Sequence, residues 1–84
     1  MRVSEKVLNE TFDQLVEQAT SAGIDTSRWR FGRPYGDTWV LEVPGHLGVL
    51  RKVQSGWSTN REAFTAMSAM ISAFYIVERH TNAT

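Results

Sequence analysis

The stretch from Arg28 to Gln54, RWRFGRPYGDTWVLEVPGHLGVLRKVQ, decides the fold. Its first residues alternate between apolar and polar, which marks a strand with one buried face. In Arg28-Trp29-Arg30-Phe31, the two rings share one side and the two arginines share the other. Gly32-Arg33-Pro34-Tyr35-Gly36-Asp37 is rich in turn-forming residues, so a hairpin loop is predicted there. Thr38 to Val43 reads as the next strand. Trp39, Leu41 and Val43 share one face, and Thr38, Val40 and Glu42 share the other. Pro44-Gly45 and Gly48 bracket a second turn that holds His46. Val49 to Gln54 is a third strand in which Arg51 lies between Val49 and Val53, a mixed pattern that suits a sheet edge.

Helical patterns flank this stretch. Leu8, Phe12, Leu15, Val16, Ala19 and Ala22 recur at helical spacing and predict a helix over residues 5–22. Ser4 is placed to cap it, and Val3 with Leu8 has the spacing of a hydrophobic staple. Gly23 stands where a helix needs a left-handed closing residue. Between Glu62 and Glu78 lie fifteen residues without a charge. They predict a second helix, opened by Thr59 and Glu62 at capping-box spacing and closed by Arg79 and His80, whose charge suits the helix dipole. One sheet face, led by Trp29, Phe31, Trp39 and Leu41, is expected to pack on both helices. The other face carries Arg28, Arg30, Thr38 and Glu42 to solvent. The predicted fold class is therefore α+β, a two-layer helix, three-stranded antiparallel sheet and helix. It forms one domain over residues 1–84 with a frayed tail at 81–84.

Composition bounds what such a domain does. An apolar fraction of 42% with three tryptophans argues for a folded chain. The absence of cysteine removes disulfides and thiolate–metal sites and fits a reducing compartment. Met1-Arg2-Val3-Ser4-Glu5-Lys6 lacks the apolar core of a signal peptide. The charge-free run falls short of the ~20 residues a membrane span needs. A cytoplasmic protein with no membrane partner is expected. The formal net charge of zero hides a gradient: −3 over residues 1–27, +4 over residues 28–61 and −1 beyond. The basic middle either pairs with the acidic first helix or faces an anionic partner.

No catalytic constellation stands out. His46 and His80 are the two histidines, and neither has a second ligand at metal spacing. The serines near His46 lack a nucleophile-elbow pattern, and the glycines sit singly in turns rather than in a phosphate loop. The chain is read as non-enzymatic, without cofactor or small-molecule substrate. Two interaction surfaces remain. In the last helix, Met67, Met70, Phe74 and Val77 are expected to face the sheet, leaving Phe64, Ile71 and Tyr75 pointing away from it. Those three lie either under the first helix or against a partner, which can be another protein or a second copy of the chain. The alternative surface is the basic aromatic sheet face of Arg28, Arg30, Arg33, Tyr35, Arg51 and Lys52, which suits nucleic acid. The helix, three strands, helix order resembles the double-stranded-RNA-binding domain in topology. The lysine-rich start of that domain's last helix is absent from Ser58-Thr59-Asn60-Arg61-Glu62-Ala63.

Gly56-Trp57-Ser58-Thr59-Asn60-Arg61-Glu62-Ala63-Phe64, followed by Met67 and Met70, resembles a pattern in small orphan proteins of actinobacteriophages, the mycobacteriophage type included. Ala22-Gly23-Ile24-Asp25 resembles the end of their early helix. The chain departs from the pattern at Asn60, where lysine is usual, and at Phe64, where tyrosine is common. The resemblance implies a phage accessory protein in the cytoplasm of a bacterial host. It brings no assigned activity, so no functional residue carries over.

Overall fold

The structure is a computed structural model that describes residues 2–34, 36, 38–45, 48–53 and 56–82. The chain runs α1 (Glu5–Ser21), β1 (Arg30–Gly32), β2 (Val40–Pro44), β3 (Leu50–Lys52) and α2 (Asn60–Asn82). The helix, sheet, helix order and the α+β class follow the sequence expectation. The strands are shorter than predicted, and α2 continues through Asn82 into the segment expected to fray.

Local chemistry fixes both ends of α1. Ser4 adopts an extended backbone, and its hydroxyl oxygen accepts the Val7 N–H at 3.2 Å. Val3 and Leu8, the staple pair, are both buried in the core. Leu8, Thr11, Leu15 and Ala19 form the buried stripe. Thr11 fits there because its hydroxyl donates to the Val7 carbonyl at 2.7 Å. At the far end the Gly23 N–H donates to the Thr20 carbonyl and the Ile24 N–H to the Ala19 carbonyl, both at 3.0 Å. That pairing is a Schellman close, and Gly23 supplies its left-handed residue at φ +92°. Beyond it, Asp25 accepts the Ser27 N–H at 3.0 Å, which holds the Asp25 carboxyl below its usual pKa.

The three strands form one antiparallel sheet in the order β1-β2-β3. Each turn reverses the chain, so after three strands α2 runs parallel to α1. The contacts agree. Asn60 at the start of α2 donates to the Val3 carbonyl at 2.9 Å, and Gln18 near the end of α1 donates to the Glu78 carboxylate. The Cα envelope is 43 × 36 × 17 Å, thin enough for two layers.

Leu8, Leu15, Leu41 and Met67 are fully buried between those layers, with Trp39, Trp57 and Ala63 around them. Phe12, Phe31 and Trp39 stack in series, with centroids 5.5 and 5.0 Å apart. Trp29 meets Phe74 of α2 at 6.2 Å. Two residues differ from expectation. Val77, predicted to face the sheet, is 49% exposed; Phe74, nearly a turn earlier, is the last α2 residue packed on the core. Val40, on the face predicted to be solvent-exposed, is only 2% exposed. Gly56 crosses beside it, so close that a Cβ there would lie 3.7 Å from a Val40 methyl.

Gly56 belongs to a further rung. Trp39 and Trp57 exchange two backbone hydrogen bonds of 2.8 Å each. Lys52 pairs with Glu42 and Trp57 with Trp39, so this side of the ladder takes five residue steps where the other takes three. The rung delivers the chain to the capping turn of α2. There the Thr59 hydroxyl oxygen accepts the Glu62 N–H at 3.1 Å, as the capping box predicts. The reciprocal bond shifts by one residue: the Glu62 carboxylate accepts from the Ser58 N–H at 3.3 Å. Thr59→Ala is expected to cost about 1 kcal/mol. A thermal melt should register this as a fall of about 4–8 °C.

Candidate interaction surface

The six basic-face candidates do not share one surface. Arg30, Glu42 and Lys52 stand opposite one another across the three strands, so a carboxylate separates the two cations on the outer face. Opposite charges in register stabilise a sheet by about 0.2–1 kcal/mol per pair, which gives these residues a structural reason to be there. The Arg28 guanidinium donates to the Gly48 carbonyl at 2.8 Å. Arg51 pairs in register with Val43, which places it on the helix side of the sheet, and its stem lies over Gly45. Arg33 lies over the Trp39 ring, at the end of the aromatic stack. Its guanidinium carbon sits 4.7 Å from the Trp39 ring centroid, and it pairs with Glu5 at 3.2 Å. Tyr35 lies outside the described residues, as do Asp37 and His46. One arginine of the basic middle thus meets the acidic first helix, and on the open face two cations flank the chain's own carboxylate.

The protein-binding candidates divide as well. Phe64, Ile71 and Glu78 recur every seven residues along α2, and Glu78 meets Gln18 of α1. That row lies beside α1, and Phe64 and Ile71 are half-buried against the core. Tyr75 turns off the row and remains 48% exposed, with the Arg79 guanidinium 3.2 Å from its hydroxyl oxygen.

The outward surface of α2 is built from other residues. Thr65, Ala69, Ser72, Ala73 and Ile76 are exposed on the side opposite buried Ala63 and Met67. Ile76 is 63% exposed, the highest value among the large exposed apolar side chains. Nothing charged interrupts this surface between Glu62 and Glu78. At its N-terminal end it opens into a groove of about 550 Å³ lined by Trp57, Thr59, Arg61, Glu62, Thr65 and Ala66. Trp57, named in the sequence only within the Gly56–Phe64 motif, supplies the groove's aromatic wall. The outer sheet face holds a second depression of about 400 Å³ around Val40, Pro34 and Arg30.

Among the described residues, no group of three or more acidic or histidine side chains is placed to hold a metal ion. Among the described residues, no helix is long and apolar enough to cross a membrane. No protein-family model, no curated protein and no solved structure matches the chain.

Proposed function

We propose that this chain is a non-enzymatic accessory protein that acts by binding protein through the outward face of α2. The observation that carries the reading is the exposed, uncharged surface from Thr65 to Ile76, with Ile76 63% open to solvent. Water tolerates single apolar side chains on a surface, but a continuous uncharged helix face is a surface that association can bury. The Gly56–Phe64 motif adds a phage origin and action in the cytoplasm of a bacterial host. The sheet face carries a nucleic-acid reading less far, because Glu42 stands between Arg30 and Lys52.

Affinity capture from host lysate tests the reading, using the wild-type chain beside Ala69→Glu and Ile76→Asp. Both positions are exposed, so both variants should melt within a few degrees of wild type. A bound protein that is retained by wild type and lost at least tenfold in both variants is the expected result. Capture that ignores both substitutions, or that yields nucleic acid alone in a salt-sensitive manner, sinks it.

A further inference from the structure

Resting on that reading, we infer that the occupant of the α2 face is a second copy of the chain, docked antiparallel about a two-fold axis level with Met70 and Ile71. Glu62, Thr65, Ala69, Ser72, Ile76 and Arg79 are all exposed, and they follow one another in steps of three and four. That stepping is the seam along which two helices pack at a shallow angle.

The seam complements itself only when its direction is reversed. Turned about its midpoint, it places Glu62 opposite the partner's Arg79, Thr65 opposite the partner's Ile76 and Ala69 opposite the partner's Ser72. A two-fold interface repeats each pairing, so two carboxylate–guanidinium pairs close its ends. A parallel pairing sets Glu62 against Glu62 and Arg79 against Arg79, which is repulsive. The centre is made of small residues, so the helix axes can approach closely. The partner's Ile76, opposite Thr65, enters the groove walled by Trp57, Thr65 and Ala66. The protruding side chain and its receptor thus sit on one face, at positions the same rotation exchanges.

The matched stretch from Glu62 to Arg79 is about 27 Å long at ~1.5 Å per residue. One helix pair of this length falls below the ~1,200 Å² where standard interfaces begin. The dimer is therefore weak and concentration-dependent, with a dissociation constant on the order of 10–100 μM.

Sedimentation equilibrium across that range should show a mass rising from 9.5 kDa toward twice that value. Ala69→Glu and Ser72→Arg, each confirmed as folded by its melt, should each weaken association at least tenfold. The chain has no cysteine, so introduced thiols are unique probes of register. Mixed Glu62→Cys and Arg79→Cys proteins, treated with a short thiol-to-thiol crosslinker, should give the mixed dimer in excess over either self-dimer. A mass fixed at 9.5 kDa throughout overturns the inference. So does a dimer indifferent to both central charges, or Glu62→Cys protein that links to itself as readily as to the Arg79→Cys protein. A strict monomer that still captures another protein through Ile76 removes the second copy as occupant and leaves the binding reading standing.

Discussion

Gly56→Ala is expected to lower stability by about 2–4 kcal/mol, with a melting temperature more than 8 °C below wild type. Two separate effects act at this position. Its φ of +101° is a region that side-chain-bearing residues avoid, at a cost of about 1–2 kcal/mol. A Cβ would also stand 2.5 Å from the Thr38 methyl and 3.2 Å from the Trp39 carbonyl oxygen. The methyl can shift, but the carbonyl is held in the Trp39–Trp57 rung, so relief must come from the rung itself. Such overpacking costs about 1–3 kcal/mol. Loss of unfolded-state freedom on replacing glycine offsets about 0.4–1 kcal/mol of the total.

Gly23→Ala is the matched control. Gly23 has φ +92°, but a Cβ there meets nothing within 4 Å, so conformational strain acts alone. Its cost should stay near 1 kcal/mol. Adding Thr38→Ser to Gly56→Ala removes the closest methyl and should recover part of the loss. Urea denaturation of the four proteins measures each step. Equal losses at Gly56 and Gly23 would show that the rung yields freely and that the close approach carries no energy.

Gly56 and Trp57 also show where sequence reading stops. The ends of α1 were legible because their causes are local: Ser4, Gly23 and the staple act within a few residues of the helix they bound. The inward positions at Leu41 of β2 and at Trp39 just before it were legible for the same reason. Trp57 stands alone between small polar residues, with no alternation around it, and its partner Trp39 lies eighteen positions away. A lone tryptophan between small residues was the available hint that the chain is anchored to the core at that point. Val40 followed the period-two rule in direction, but the crossing chain at Gly56 covers it from a side the rule does not consider.

The charge-free run located the interaction helix without fixing its outward side. Counting reversals supplies what the periodicity lacked. Three antiparallel strands return α2 to the direction of α1, which sets the Phe64–Ile71–Glu78 row beside α1 and leaves the Ala69–Ser72–Ile76 seam open. Burial agrees with that assignment, since Phe64 and Ile71 pack on the core while Ala69, Ser72 and Ile76 are exposed.

The direction in which the seam faces depends on how α2 is fastened, and Asn60 is the fastening. Its side-chain oxygen accepts the Trp39 indole N–H at 2.7 Å, and its amide donates to the Val3 carbonyl at 2.9 Å. One side chain thus joins the sheet, the first turn of α2 and the segment before α1. Trp39 is 4% exposed and Val3 8%, so neither group turns to water when the amide is removed. Asn60→Leu should therefore cost about 2–4 kcal/mol, since each stranded polar group is worth about 1–3. Asn60→Lys should fall between Leu and wild type. An ammonium can donate to the Val3 carbonyl but cannot accept from the indole, so lysine here keeps one bond of the two. A double-mutant cycle with Trp39→Phe isolates the indole bond. Trp39→Phe is costly by itself through lost ring area, but once the indole N–H is gone, Asn60→Leu should cost about 1–2 kcal/mol less than it does in the wild-type background. Additivity within about 0.5 kcal/mol would mean the indole bond contributes nothing. With the bond broken the first turn of α2, which carries Glu62, is held less firmly, although Ala63 and Met67 still anchor the helix, so the variant should also lose part of the mixed Glu62–Arg79 crosslink while still folded. That loss ties the buried amide to the outward seam.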